Sequence, residues 1–208
     1  MALFITFEGG EGSGKSVQAR SLYRRLCLLA IPAVLTHEPG GTPLGRKISY
    51  WLKWAQDTGI SPLTELLLFN ASRAQLVEEV IRPSLIGGKV VICDRYADST
   101  IAYQSYGRGL DLNMVRAVNE TATQGLIPTL TILLDISVEE GLTRKTHQKR
   151  DRFEQEDLVF HRRVRGGYLK MAASEPERWM IIDATQSRAK IREFIWQRVS
   201  QLLSSQKV

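Results

Sequence analysis

The spacing of apolar positions switches repeatedly between the short run of a buried strand and the 3.6-residue repeat of a helix. Residues 2–7 (ALFITF) are an apolar run, and residues 17–26 then show helical spacing. A second short run at 33–36 opens into turn residues at 37–43, and the pattern predicts a helix over 44–56 with Ile48, Trp51, Leu52 and Ala55 on one side. Ser61 and Pro62 supply an N-cap and a first-turn proline for a helix over 62–81, with Pro83 as its stop. The unbroken runs at 90–93 (VVIC) and 130–134 (LTILL) read as strands buried on both faces. A helix over 112–124 capped by Gly125, a helix from about 156 to 174, a strand over 179–182 and a helix over 187–203 complete the series. Residues 135–156 are charged and lack an apolar period.

Strand and helix alternate throughout, which predicts an α/β fold: one five-stranded parallel sheet with right-handed crossovers and helices on both faces. A length of 208 residues fits a single domain, and no linker or repeat divides it. Ligands of such sheets gather beyond the carboxyl ends of the strands, so Glu38, Asp94 and Arg95 are expected on one rim with Lys15. Hydrophobic content of 43% and charged content of 24% are ordinary for a globular chain and argue against disorder and membrane classes. The first twenty residues lack a charged n-region, and the apolar start ends at Glu8, so neither a secretory signal nor a spanning helix is expected. That makes the cytoplasm the default compartment. Cys27 and Cys93 have no His or Cys at metal-ligand spacing and are expected as small core residues. The net charge of +6 would suit nucleic acid, but a chain holding two phosphorylated ligands also needs excess Lys and Arg, and that reading is preferred.

The strongest chemical signal is GGEGSGKS at 9–16, lying between the first strand and the first helix. It matches the phosphate-binding pattern G-x-x-x-x-G-K-[ST] in its required context. The backbone of Gly9, Gly10, Glu11, Gly12, Ser13 and Gly14 would curl so that N–H groups and a helix N-terminus face phosphate oxygens. Lys15 would sit on the β- and γ-phosphates and Ser16 on Mg2+. Asp94 ends an apolar strand, where P-loop proteins keep their metal-side carboxylate. Arg95 follows at once; it either serves a second anion or pairs structurally with Asp94.

Five blocks, FEGGEGSGK at 7–15, HEPGGT at 37–42, LLFNASRAQ at 67–75, DRYADSTIAYQSYGRGL at 94–110 and DRFEQED at 151–157, closely resemble bacterial thymidylate kinase in order and spacing. The resemblance runs from Phe4 to about Thr185. It implies a P-loop nucleoside monophosphate kinase fold with a short lid at about 141–156, ATP with Mg2+ as phosphoryl donor, dTMP as acceptor and a homodimer. It makes Arg95 the main contact of the dTMP phosphate and Glu11 the partner of the sugar 3′-hydroxyl. It places Phe69 on the thymine, Arg73 at thymine O4, Tyr103 and Gln104 against sugar and base, and Glu38, Pro39 and Ser99 in the same site. Arg73 lies four residues after Phe69, hence on the same helix face. The chain departs from the family at Ser105-Tyr106, where a glycine is common, and in a lid that looks short.

No arginine stands inside the phosphate loop, so the cation for the transition state must come from elsewhere. TRKTHQKRDR at 143–152 has five Lys or Arg in ten positions. Arg150 or Arg152 is expected on the transferring phosphoryl, with Arg144 nearer the adenine, Arg152 being favoured by the family's Asp-Arg-x-Glu. A kinase for dUMP, a deoxynucleoside or a non-nucleotide phosphate is the nearest alternative. A GTP-driven switch would usually carry an Asn-Lys-x-Asp motif, which is absent from the sequence. A basic nucleic-acid-binding module is the third reading. Trp51 and Trp54 form either an exposed patch for self-association or part of the monomer core.

Overall fold

The computed structural model describes residues 2–54, 59–144 and 151–205. Among them, strands β1 (Phe4–Glu8), β2 (Ala33–His37), β3 (Val90–Asp94), β4 (Leu130–Asp135) and β5 (Trp179–Asp183) form one parallel sheet in the order β2-β3-β1-β4-β5. The winding reverses at β1, whose neighbours are β3 and β4, and this opens a crevice beyond its carboxyl end.

Alternation along β1 sends its side chains to two cores. Ile5 and Phe7 pack with Ala19, Leu22 and Leu26 of α1 (Lys15–Leu28) and with Ile191, Ile195, Val199 and Leu203 of α9 (Arg188–Ser205). The four α9 residues recur at intervals of four, a single stripe along the helix. Phe4 faces the other way, against Leu76, Val77, Ile81 and Tyr96. Thr6 and Glu8 share that face; Thr6 Oγ1 lies 3.0 Å from Thr131 Oγ1 on β4, so this polar pair is satisfied inside the sheet.

The remaining helices are α2 (Pro43–Trp54), α3 (Pro62–Leu76), α4 (Arg82–Ile86), α5 (Ala97–Thr100), α6 (Leu112–Thr123), α7 (Val138–Thr143) and α8 (Leu158–Ser174). Ser61 caps α3 as expected, its Oγ accepting from Thr64 N at 3.2 Å. Pro83 does not stop this helix. A π turn at Val77–Ile81 joins α3 to α4 without a break, the Arg82 N–H reaching back five residues to the Val77 carbonyl. Proline lacks an N–H and crowds the carbonyl four residues before it; one wider turn ahead of Pro83 shifts that carbonyl ladder and lets the helix pass.

Two further elements carry no periodic signal. Residues 97–107 are helical, α5 running into a π turn at Ile101–Gly107. Their two faces meet α6 and α8 as well as the crevice, which leaves no simple polar side. The charged stretch after β4 begins with α7, capped by Ser137 Oγ accepting from Glu140 N. Residues 55–58, including the expected helix end at Gln56, lie outside the described residues. Cys27 is exposed rather than part of the core, because it follows Leu26 by one position and so points about 100° away from the buried stripe of α1. Cys93 is buried.

Candidate active site

Beyond Glu8 the chain turns through Gly9, Gly12 and Gly14, whose φ values of +138°, +68° and +93° are open to glycine at little cost. The turn ends in the first residue of α1, Lys15, which is 7% exposed. Its Nζ donates to the carbonyls of Gly10 at 2.7 Å and Gly9 at 3.0 Å, so the ammonium lies over the loop where phosphate oxygens would meet it. Ser16 Oγ donates to Asp94 Oδ2, joining the start of α1 to the end of β3. The loop tip is pressed against α7: a Cβ on Gly12 would come within 1.9 Å of the Gly141 carbonyl oxygen, and one on Gly141 within 2.3 Å of that of Glu11.

Arg95 stands in the left-handed region at φ +70°, unusual for a side chain with a Cβ and a mark of local strain. This turns its guanidinium back over the loop. Nη2 pairs with Glu11 Oε1 at 2.6 Å, Nη1 reaches the Gly9 carbonyl and Ser99 Oγ at 3.3 Å each, and Tyr168 OH at 3.4 Å. Among the described residues no ion pair joins Asp94 to Arg95; the carboxylate faces Ser16 and the guanidinium faces the cleft. Burial works against the Arg95 charge, yet Tyr103, Glu11, Tyr168 and Glu8 around it raise its pKa well above the usual value. Behind it, Glu8 accepts from Tyr96 N at 2.7 Å, Ser99 Oγ at 2.6 Å and Tyr168 OH at 2.9 Å. Burial and the nearby Asp98 carboxylate push the Glu8 carboxyl up to about 7, against the bonds from Ser99 and Tyr96 and the Arg95 charge.

Next to Arg95, Tyr103 donates to the same Glu11 Oε1 at 2.8 Å, with the Arg95 guanidinium 5.1 Å over its ring, and Phe69 and Gln104 line the wall. The π turn at Ile101–Gly107 places Tyr103 and Gln104 here, as single wider turns often do at functional sites. Ser105 is buried within this turn, and Tyr106 packs against Gly167 on α8. Glu38, followed by a cis peptide bond to Pro39, closes the wall from the end of β2.

Arg73 differs from expectation: each guanidinium nitrogen already has an acceptor. Nε and Nη2 lie 2.8 Å and 2.6 Å from Glu38 Oε2, Nη2 is 3.2 Å from the Tyr96 carbonyl, and Nη1 meets Asn119 at 2.7 Å and Asn70 at 3.2 Å. It is buried because the residues that bind it come from four separate segments. Burial raises the Glu38 pKa while Arg73 opposes that rise, and Glu38 Oε1 has no hydrogen-bond partner among the described residues.

Arg152 is also placed elsewhere than expected. Its Nη2 binds the buried carboxylate of Glu65 at 2.5 Å, and it does not line the cleft, whereas Asp151, Phe153 and Glu154 do. Arg150 lies outside the described residues. Arg144 lines the cleft beside Gln186, Ser187, Arg188 and Ile191, its Nη1 donating to the Ala184 carbonyl at 3.0 Å. Glu8, Tyr168, Glu65 and Phe153 have no place in a reading by spacing. Only Glu8 carries a signal, a charged residue closing an apolar run. Tyr168 and Glu65 sit on helices remote in sequence.

The cleft holds about 1170 Å³, more than the roughly 300–1,000 Å³ usual for one small ligand. Lys15 stands over the phosphate loop and Arg95 reaches the same Gly9 carbonyl from the end of β3, so two anions can be held next to each other. On a parallel sheet wound this way, that arrangement defines a P-loop nucleoside monophosphate kinase. The chain belongs to the thymidylate kinase family, whose model matches residues 7–195. A thymidylate kinase of Dehalococcoides mccartyi is 54% identical over 98% of both chains, and one of Deinococcus radiodurans is 48% identical over 96% of this chain and 97% of its own. The crystal structure of thymidylate kinase from Ehrlichia chaffeensis superposes with a TM-score of 0.78 at 33% identity, covering 98% of each chain.

Proposed function

We propose that this chain transfers the γ-phosphoryl of ATP to dTMP, giving dTDP and ADP for dTTP synthesis. The observation that carries the reading is the pair of cationic seats, Lys15 and Arg95, side by side at the phosphate loop, both donating to the Gly9 carbonyl. A phosphomonoester has a second pKa near ~6, so dTMP arrives mostly as the dianion and needs no general base. What the chain must supply is alignment and neutralisation of charge.

ATP enters along the loop from Gly9 to Ser16, its adenine toward Arg144. Lys15 exchanges loop carbonyls for phosphate oxygens. Arg95 takes the dTMP phosphate, with Ser99 and Tyr168 fixing its orientation. Glu11 and Tyr103, already hydrogen-bonded to each other, receive the sugar, and the closeness of Tyr103 leaves little room for a 2′-hydroxyl. Phe69 stacks on the base. The longer Arg73 contacts, to Asn70 and the Tyr96 carbonyl, are the ones a thymine O4 would replace. Cytosine presents a donor there and is rejected. Ser16 and Asp94 fit Mg2+, which takes one or two carboxylates from protein and the rest from phosphates and water. Held there, the ion would supply positive charge to the phosphates during transfer.

The test is ADP release, coupled to a spectroscopic readout, with dTMP, dUMP and dCMP as acceptors. The expected order is dTMP, then dUMP, with dCMP negligible. Equal turnover of dCMP and dTMP would remove the base-reading role of Arg73.

A homodimer and a cytoplasmic setting belong to the same reading. Tyr50, Trp51 and Trp54 on α2 and Leu63 and Leu67 on α3 are large apolar side chains left exposed on two helices that pack together, which supports self-association through this face. Among the described residues no helix is long and apolar enough to cross a membrane.

A further inference from the structure

A buried carboxylate that the transfer chemistry does not use joins the acceptor end of the cleft to the segment 151–157. Glu65 on α3 is 0% exposed. Its Oε1 accepts from Gln104 Nε2 at 2.8 Å and Arg108 Nε at 3.2 Å, and its Oε2 from Arg108 Nη2 at 3.2 Å and Arg152 Nη2 at 2.5 Å. Arg152 is fastened a second time to the end of α2, its Nε donating to the Leu52 carbonyl at 3.1 Å and its backbone N–H to that of Lys53 at 3.2 Å. Arg108 Nη1 pairs in turn with Glu156 at 2.6 Å, so two carboxylates balance two guanidiniums.

Such a network is not needed for packing alone, since apolar residues of similar volume commonly stabilise as well or better. What it does is local and geometric. Phe153, next in sequence to Arg152, has the Arg152 guanidinium 4.9 Å over its ring. It lies 5.5 Å from Phe69 and 6.1 Å from Tyr103 between ring centroids, and it lines the cleft. Gln104, the other wall residue, has its amide nitrogen held by the same carboxylate.

We propose that Glu65 is a positioning residue of the acceptor site: through Arg152 it holds Phe153 as a second aromatic wall beside Phe69, and it fixes the Gln104 amide at the same pocket. The proposal rests on the reading that the base of dTMP lies at Phe69. It assigns Arg152 to acceptor binding, not to the transferring phosphoryl, and the two roles separate in kinetics. An anchor lost from the pocket raises the dTMP KM, whereas a contact made only in the transition state lowers kcat.

The experiment is steady-state kinetics on the full chain for Phe69→Ala, Arg152→Ala, Arg152→Lys, Phe153→Leu and Glu65→Gln. Arg152→Ala and Phe153→Leu are expected to raise the dTMP KM about tenfold or more, the cost of reordering a loop and its aromatic wall, with kcat and ATP KM nearly unchanged. Arg152→Lys should recover part of the loss, since an ammonium can still reach Glu65. Glu65→Gln combined with Arg152→Ala should raise the KM by less than the product of the two single effects, because the two share the Glu65–Arg152 contact. Arg152 is partly exposed, so its variants and Phe153→Leu decide the matter even if Glu65→Gln fails to fold. A fall of about a hundredfold in kcat at unchanged dTMP KM in Arg152→Ala would overturn the proposal in favour of a transition-state arginine. An unchanged dTMP KM in Phe69→Ala would overturn it by removing the base from this pocket. A raised KM in Phe69→Ala with none in Arg152→Ala and Phe153→Leu would overturn the positioning role while leaving the base where it is.

Discussion

At the scale of single residues, Arg95 shows how position and conformation serve one contact. Its left-handed backbone costs on the order of 1–2 kcal/mol for a residue with a Cβ, and the return is a guanidinium facing the phosphate loop. Arg95→Ala and Arg95→Gly should each weaken dTMP binding by roughly a hundredfold, well beyond any effect on ATP, as expected when a charge-assisted contact is lost. Arg95→Gly should also melt higher than Arg95→Ala, because glycine relieves the strained φ. Calorimetry and isothermal titration of both variants measure the two effects apart, and wild-type dTMP binding would make Arg95 structural. Glu8 offers a second residue-scale test. Its folded pKa of about 7 lies above the ordinary carboxylate value of 4.5, so the folded state holds the proton more tightly. The stability this contributes is fully present below the unfolded pKa and is lost as pH rises through 7. The melting temperature of Glu8→Gln should therefore gain on that of the wild type between pH 5 and pH 8; parallel profiles would mean Glu8 titrates normally.

Among the elements, α7 and the two π turns do what no periodic pattern announces. The short helix after β4 touches the phosphate loop backbone to backbone at Gly141, with the Glu11 carbonyl 2.3 Å from where a Cβ would stand. Gly141→Ala should cost about 1–3 kcal/mol in stability, and because the loop must shift, kcat/KM for ATP should fall more than dTMP affinity. Thermal melts with initial rates check both, and an unperturbed variant would mean that the contact yields easily. The helix ladder at Pro83 and the side chains of Tyr103 and Gln104 are each placed by one widened turn. Propensity does not mark such turns in sequence, because they form where neighbouring helices and the cleft constrain the chain, not where local residues demand them.

For the whole molecule, the apolar face of α2 and α3 carries the assembly prediction. Trp51 is 54% exposed and Trp54 37%, so both are available at the surface of the single chain. Trp51→Glu should convert a homodimer to a monomer in light scattering without unfolding it, and a wild-type monomer at micromolar concentration would leave this face for another partner. On the proposed reading, chelation of divalent cations should abolish transfer while dTMP binding persists in calorimetry; loss of both would place the cation on the acceptor side as well. What the sequence by itself determined was local or periodic: the five parallel strands, the capped start of α3, the phosphate loop and the strand end at Asp94. A buried strand needs an unbroken apolar run, and a phosphate loop needs glycines at set intervals, so both write themselves into neighbouring residues. Only the tertiary structure decided which charges meet. Arg73 binding Glu38, Arg152 binding Glu65 and Glu8 holding Tyr168 join residues 35, 87 and 160 positions apart. An ion pair or hydrogen bond acts over a few ångströms, so its partners are chosen by the packing of helices on the sheet and leave no period in the chain.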